Sequence, residues 1–383
     1  MYRISKWMTA ALAAAAVLAA SAARADVTVG ITLSATGPAA ALGGPQKNTA
    51  ALLPAEIAGQ KIRYIALDDG TDPTNAIKNA RKLTAEDHVD IIIGSTTTAN
   101  SLAVLTVAAE MSTPMISMAP FAPPADKLAW AFQTPQANSL MTSVVVDHMK
   151  ANGVKSVAYI GFSDPFGESW FGAFKPLIDQ AGITLVANER FNRTDTSVTA
   201  QILKIVAANP DAVMIGASGT PAVLPHLGLA ERGYKGKIYH THGIVNKAVL
   251  TLGGPKLDGA FVPMGPGMVA ETLPDSHPSK KPALEYAMAY EKANGPDSRT
   301  TFGAHLWDAM LIVRAALPEA LKSGTPGTAQ FRKGLRDAIE KVKDVPATQG
   351  VFTYSATDHA GLDNRARVLT RIEGGTWKLV GGN

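Results

Sequence analysis

Residues 91–121, IIIGSTTTANSLAVLTVAAEMSTPMISMAPF, read as strand, turn, helix, strand and loop. Ile91, Ile92 and Ile93 are a short buried-strand signal ended by Gly94. Ser95-Thr96-Thr97-Thr98 follow. A helix is predicted from Ala99 to Met111, with Leu102, Leu105, Val107 and Ala109 on its buried face. Pro114 closes it, and Met115-Ile116-Ser117 is the next strand. Hydroxyl residues at a strand end, directly before a helix, bring side-chain oxygens and unpaired backbone N–H groups to one point. A helix N-terminus carries partial positive charge, so that point favours a carboxylate. The same residues also fit a plain cap, with Thr97 or Thr98 closing the helix.

The first residues read as a targeting segment. Tyr2 to Lys6 is a basic start, Met8 to Ala20 a short apolar run, and Ala23-Arg24-Ala25 a cleavage signal before Asp26. This predicts an export signal over residues 1–25, cleaved after Ala25, and a periplasmic mature chain without direct membrane insertion. The full chain has 36 Lys and Arg against 32 Asp and Glu; without Arg3, Lys6 and Arg24 the balance is 33 against 32, a net charge of +1. No basic block or aromatic-basic alternation points to nucleic acid. Cysteine is absent, which removes disulfides, thiol nucleophiles and thiolate metal sites.

The remainder alternates strand and helix in two series. The first holds strands at 27–33 and 62–67. A helix from Gln46 to Ile57 follows Leu42-Gly43-Gly44-Pro45, and another is capped by Asp72-Pro73 and runs to Glu86. Asp68-Asp69 reads as a solvated turn. The second series starts after Thr134-Pro135, with strands at 156–161, 183–189, 212–215, 238–240 and 259–262 and helices between them. Helices at 283–294, 302–322 and 327–341 follow, then antiparallel strands at 350–354, 365–372 and 376–380. Two such series mean two α/β lobes, each a doubly wound, mainly parallel sheet. Ligands of such sheets bind beyond the carboxyl ends of strands. The polar turns 34–36, 95–98, 163–166 and 217–220 all lie there, and Thr220 closes the last. Their convergence favours acid binding over simple capping.

Several local patterns carry a family likeness: Val29-Gly30-Ile31 with Thr36-Gly37-Pro38; Gly44-Pro45-Gln46-Lys47-Asn48; Asp68-Asp69 with Asp72-Pro73 and Ala80-Arg81-Lys82-Leu83; Pro114-Met115-Ile116-Ser117; and Asp164-Pro165-Phe166-Gly167. In this order, after an export signal, the chain resembles the type I periplasmic binding proteins of the leucine/isoleucine/valine-binding family, which feed ABC importers. The resemblance implies two lobes joined by a three-crossover hinge near 134–136, 264–269 and 348–350. The N-terminal lobe is expected over 26–135 and 268–348, the C-terminal lobe over 136–267 and 349–383. It also implies a monomer that delivers its ligand to an inner-membrane ABC permease, or a ligand sensor for a membrane receptor. Carried over by position, the carboxylate contacts fall on Thr98 and on backbone groups at Ala119 and Phe121. The apolar contact after the first strand falls on Leu42, and the family's second-lobe tyrosine is Phe166 here. Amino-acid-binding members have an acidic residue just before Gly243 to pair the ligand's ammonium. This chain has His242 instead. An ammonium without a counter-charge in a closed cleft costs several kcal/mol, by order of magnitude. The expected ligand is therefore a small organic acid, aromatic or hydrophobic, with branched-chain amino acids as the alternative.

No catalytic residue, cofactor or metal is expected. His240 and His242 form an isolated H-x-H without nearby acids. No G-x-S-x-G, H-E-x-x-H, Walker or dinucleotide fingerprint occurs.

Overall fold

The computed structural model describes residues 25–380; apart from Ala25, the predicted export signal lies outside them. The first lobe runs β1 (Val27–Leu33), α1 (Ala40–Ala50), β2 (Glu56–Ile57), β3 (Gln60–Asp68), α2 (Pro73–Arg81), β4 (Ile91–Ile93), α3 (Thr98–Glu110), β5 (Met115–Ser117) and β6 (Ala131–Gln133). The second follows with α4 (Asn138–Ala151), β7 (Ser156–Phe162), α5 (Pro165–Gln180), β8 (Thr184–Phe191), α6 (Thr199–Ala208), β9 (Ala212–Gly216), α7 (Val223–Glu231), β10 (Lys237–His240), α8 (Lys247–Gly253) and β11 (Phe261–Met264). The chain then forms α9 (Lys280–Asn294), α10 (Thr301–Ser323), α11 (Ala329–Glu340), β12 (Val345–Pro346), β13 (Val351–Phe352), β14 (Val368–Glu373) and β15 (Thr376–Leu379).

The strands form two main sheets, β2-β3-β1-β4-β5-β6 and β15-β14-β11-β10-β9-β7-β8, and β12-β13 pair apart. In the first, β1 is central and parallel to both β3 and β4. Its odd residues Val27, Val29, Ile31 and Leu33 join Ile91 and Ile93 on one face, against Leu306, Ile312 and Phe331 of α10 and α11. Ile92 and Met115 face the other way, onto Ala76, Val104 and Ala108 of α2 and α3. The three isoleucines thus serve both faces of a sheet covered on each side, as period-two alternation requires. In the second sheet β7 is parallel to β8 and β9, and β14 is antiparallel to β11. Each sheet has a switch point, at β1/β4 and at β7/β9, and the predicted polar turns emerge at both.

Two expectations need correction. Helix α1 begins at Ala40, so Leu42 and Pro45 lie inside it and not in a loop before it. Proline cannot supply the bond to the carbonyl four residues back, and that carbonyl, on Ala41, instead accepts from the side chain of Asn246 in the second lobe. The third crossing also lies later than 348–350. Phe352 and Tyr354 belong to the first lobe's core, Tyr354 Oη–H donates to Gln133 O at 2.8 Å, and His359 stacks on Phe132 at 4.2 Å. The chain pairs with the second sheet only at β14. An aromatic cluster therefore keeps residues 351–359 with the first lobe.

Near this hinge Asp308 of α10 is fully buried. It accepts from Thr348 N–H (2.8 Å), Thr348 Oγ1–H (3.0 Å) and Gln349 N–H (3.0 Å). Burial pushes its carboxyl from 3.8 up to about 7, against the pull of those donors. The folded protein then holds this proton more tightly than the unfolded chain, so this group makes stability fall as pH rises from about 4 to about 7. Asp308→Asn is expected to remove that slope, up to about 1.4 kcal/mol per pH unit. Urea unfolding of both proteins between pH 4 and pH 8 checks it; equal slopes contradict it.

Candidate functional site

The turns after β1, β4 and β5 in the first lobe face those after β7, β8, β9 and β10 in the second. The cleft between them is lined by Leu42, Thr96, Thr97, Thr98, Met118, Ala119 and Pro120 on one side, with Phe302 and His305 of α10 and Pro135. Phe166, Arg193, Ser218 and Gly243 line the other. About 20 Å³ is open to the centre of a water molecule. The lobes therefore stand close, with room for about one water. Gly219, at φ +65°, shows how close: a Cβ there would lie 2.5 Å from Leu42 Cδ1 of the opposite lobe. Lys247 Nζ also reaches Pro296 O at 3.5 Å.

The first-lobe wall is a hydroxyl network. Thr97 is the N-cap of α3, its Oγ1 accepting from Asn100 N–H at 3.3 Å. Thr98 Oγ1–H donates to Pro120 O at 2.8 Å. The N–H groups of Thr98 and Ala99 open the helix and have no intrahelical acceptor. Capping and anion binding are thus not exclusive here: Thr97 closes the helix while its first N–H groups stay free for a ligand. Asp69 holds the neighbouring loops. It is fully buried and accepts from Ser34 Oγ (2.7 Å), Ser95 Oγ (2.5 Å), Thr71 N–H (3.0 Å) and Thr32 Oγ1 (3.4 Å). Of the predicted solvated pair only Asp68 is exposed. Gly94, at φ +144°, fits because a Cβ there would lie 2.2 Å from Thr32 O.

The second-lobe wall is built on Asp164. Its Oδ1 caps α5 through Phe166 N–H (2.9 Å) and Gly167 N–H (3.1 Å). Its Oδ2 accepts from Arg193 Nε at 2.5 Å. Arg193 Nη1 donates to Ser218 Oγ at 3.0 Å, and the guanidinium lies 4.1 Å from the Phe162 ring centroid. The side chain is only 12% exposed, so this cation is fixed at the cleft edge. Thr241 ties the remaining turns, its Oγ1–H donating to Ala217 O at 2.6 Å and accepting from Gly243 N–H at 3.0 Å.

Of the predicted site residues, Leu42, Thr97, Thr98, Ala119 and Phe166 line the cleft, and Phe121, Thr220 and His242 do not. Phe121 packs with Val104, Leu105 and Ala131 inside the first lobe. Its N–H donates to Gln133 Oε1 at 3.2 Å, and Ala119 N–H donates to Ser117 Oγ at 3.0 Å. Neither backbone donor is free for a carboxylate, because short side chains of the same lobe have claimed both. Thr220 opens a short 3-10 turn beyond the lining. His242 sits just behind Gly243, 5.7 Å from Trp170 and 6.3 Å from Phe166 between ring centroids. His240 turns elsewhere, to His226 Nδ1 at 2.9 Å. Among the described residues, no cluster of three or more His, Asp or Glu side chains could hold a metal.

Arg193 and His305 escaped the sequence reading. Arg193 follows β8, which the sequence pattern ends at Glu189 and the structure extends to Phe191, so Arg193 falls in the turn at that strand's carboxyl end. His305 lies among the apolar positions of α10 and carries no local signal.

Two lobes of this topology, with polar turns converging between them, define a hinged solute-binding receptor. The periplasmic binding protein family model matches residues 26–376, and the chain belongs to that family. It is 26% identical over 362 residues to Leu/Ile/Val-binding protein homolog 3 of Brucella melitensis, covering 92% of this chain and 93% of that one. An extracellular ligand-binding receptor from Rhodopseudomonas palustris HaA2 superposes with a TM-score of 0.92 at 44% identity, covering 93% of this chain and 100% of its own. A solute-binding protein of an ABC transporter from R. palustris, in complex with benzoate, shares the fold with a TM-score of 0.77 at 20% identity, over 93% and 96% of the chains. Proteins of this family bind small molecules and work with ABC permeases. Among the described residues no helix is long and apolar enough to cross a membrane.

Proposed function

We propose that this chain is an exported receptor, processed after Ala25, that binds a small aromatic or hydrophobic carboxylate between its lobes and presents it to an ABC permease as a monomer, without catalysing a reaction. The observation that carries this reading is the pairing of the free N–H groups opening α3 with the fixed guanidinium of Arg193 at the same cleft. Helix dipole and cation both favour an anion. Leu42, Met118, Phe166 and Phe302 surround it with apolar surface. The distant relative bound to benzoate supports the acid class.

The name of the Brucella relative favours branched-chain amino acids instead. Against this stands the lack of a carboxylate for the ammonium. Asp164 already serves Arg193 and the α5 cap, and burial pulls the His242 imidazole down to about 4, leaving it neutral at pH 7.

Thr98→Ala is expected to weaken binding of the best acid by about 1–2 kcal/mol, through loss of the hydroxyl that fixes the α3 terminus against Pro120. Titration calorimetry checks this. Unchanged affinity would place the acid elsewhere.

A further inference from the structure

Two buried histidines approach the cleft from opposite lobes, His305 in its lining and His242 just behind Gly243, and the Nδ1 of neither has a partner in the protein. His305 projects from α10 of the first lobe into the lining. His242 follows β10 of the second, just behind Gly243 of the lining. His305 is 1% and His242 4% exposed, and the Nδ1 of each is buried without a hydrogen-bond partner. A buried polar atom left unpaired is costly, so a ligand group that reaches the Nδ1 of His305 is favoured. His240 also keeps a buried, unpaired Nδ1, but it is outside the cleft lining and bonds through Nε2 to His226 Nδ1.

The chemistry of that partner follows from the imidazoles. Burial, and for His305 also the nearness of His242, lowers both, to about 4 for His242 and about 3 for His305. Both are neutral at pH 7, and a neutral imidazole offers one N–H donor and one acceptor. A carboxylate has no proton to give the acceptor. An ammonium would bring a full charge with no counter-ion. A hydroxyl both donates and accepts, and matches the pair. Phe166, Trp170 and Phe302 lie around the two rings, a setting suited to a hydroxyl carried on an aromatic ring.

We propose that His305 in the cleft lining, backed by His242 behind Gly243, forms a second polar pole of the cleft that receives a hydroxyl of the ligand, so that the preferred ligand class is a hydroxylated aromatic carboxylate. This rests on the acid-binding reading above and adds the group that distinguishes one acid from another.

The test is titration calorimetry with matched pairs: benzoate against 3- and 4-hydroxybenzoate, and 3-phenylpropionate against its hydroxyphenyl analogues. The proteins are wild type, His305→Phe and His305→Gln. At least one hydroxylated acid is expected to bind wild type about tenfold or more tightly than its parent, since a site built around a hydroxyl rejects the analogue lacking it. In His305→Phe that preference should fall below about threefold, because the polar contact to the hydroxyl is removed. His305→Gln, which keeps a donor and an acceptor, should retain part of the preference and guards against a misfolded phenylalanine variant. Equal binding of parents and hydroxylated acids to wild type overturns the proposal while leaving the acid reading intact. So does a preference that survives in His305→Phe. If no acid of any pair binds, the acid reading falls and this proposal with it.

Discussion

Arg193→Ala is expected to weaken carboxylate binding by about 3 kcal/mol, roughly a hundredfold or somewhat more. Arg193 lines the cleft, held by Asp164 through Nε and by Ser218 through Nη1, with its plane over Phe162. Its remaining donors have a fixed direction, so little side-chain entropy is lost when an anion arrives. The alanine variant removes the only cation among the lining residues. Asp164 stays behind as a bare charge at the cleft edge, which adds repulsion to lost attraction. The α5 cap does not depend on Arg193, because Asp164 Oδ1 accepts from Phe166 and Gly167 N–H directly. The folded state should therefore survive. Arg193→Lys should recover only part of the affinity, since a point charge cannot keep the contacts to Asp164 and Ser218 and also reach the ligand. Calorimetry with the tightest-binding acid measures all three proteins. Affinities within about threefold of one another would remove Arg193 from the site, given the strength of charge-assisted bonds.

Asp69→Ala is expected to cost about 3 kcal/mol or more of folding stability. Four donors converge on this carboxylate with no exposure to water: three hydroxyls, from Thr32, Ser34 and Ser95, and the N–H of Thr71. Alanine strands those donors and opens a small cavity between the ends of β1 and β4. Asp69→Asn should cost much less, because hydroxyls can rotate to accept from the amide while Oδ1 still receives Thr71 N–H. Urea unfolding of the three proteins separates these cases. A loss under about 1 kcal/mol for alanine would mean that the loops hold themselves, since an ordinary single hydrogen bond is worth that much. The same residue fixes Ser34 and Ser95 beside the cleft, so weaker ligand binding should accompany the lost stability.

The parts of the fold legible in the sequence were those set by periodicity and caps. Ile91–Ile93 alternated between two covered faces, Asp72 and Thr97 capped their helices, and Pro114 ended one. Where a rule was overridden by a contact from elsewhere in the chain, the reading slipped. Pro45 reads as a boundary, yet it sits within α1, and the carbonyl it leaves free is taken by Asn246 of the other lobe. The resemblance puts the third crossing at 348–350, and nothing local shows that Tyr354 and His359 anchor on Gln133 and Phe132. The site divided in the same way. Thr97 and Thr98 were readable because a helix N-terminus is a local feature. Arg193 and His305 were not: Arg193 is set at the cleft by Asp164 and Ser218, far away in sequence, and His305 by the packing of a long helix whose apolar pattern gives no sign of it. Asp69 looked like half of a solvated turn, and only the packing of β1 against β4 buries it.

The central claim is that the cleft binds an uncharged-tail carboxylate and not an α-amino acid. Thermal unfolding of the mature protein against aromatic acids, aliphatic acids, dicarboxylates, leucine and valine tests it most directly, because a ligand of the folded state raises the melting temperature by mass action. A rise with aromatic or hydrophobic monocarboxylates and none with leucine or valine is the expected result. A rise with leucine or valine and none with the acids would contradict it, and would mean that some group other than His242 supplies a partner for the ammonium.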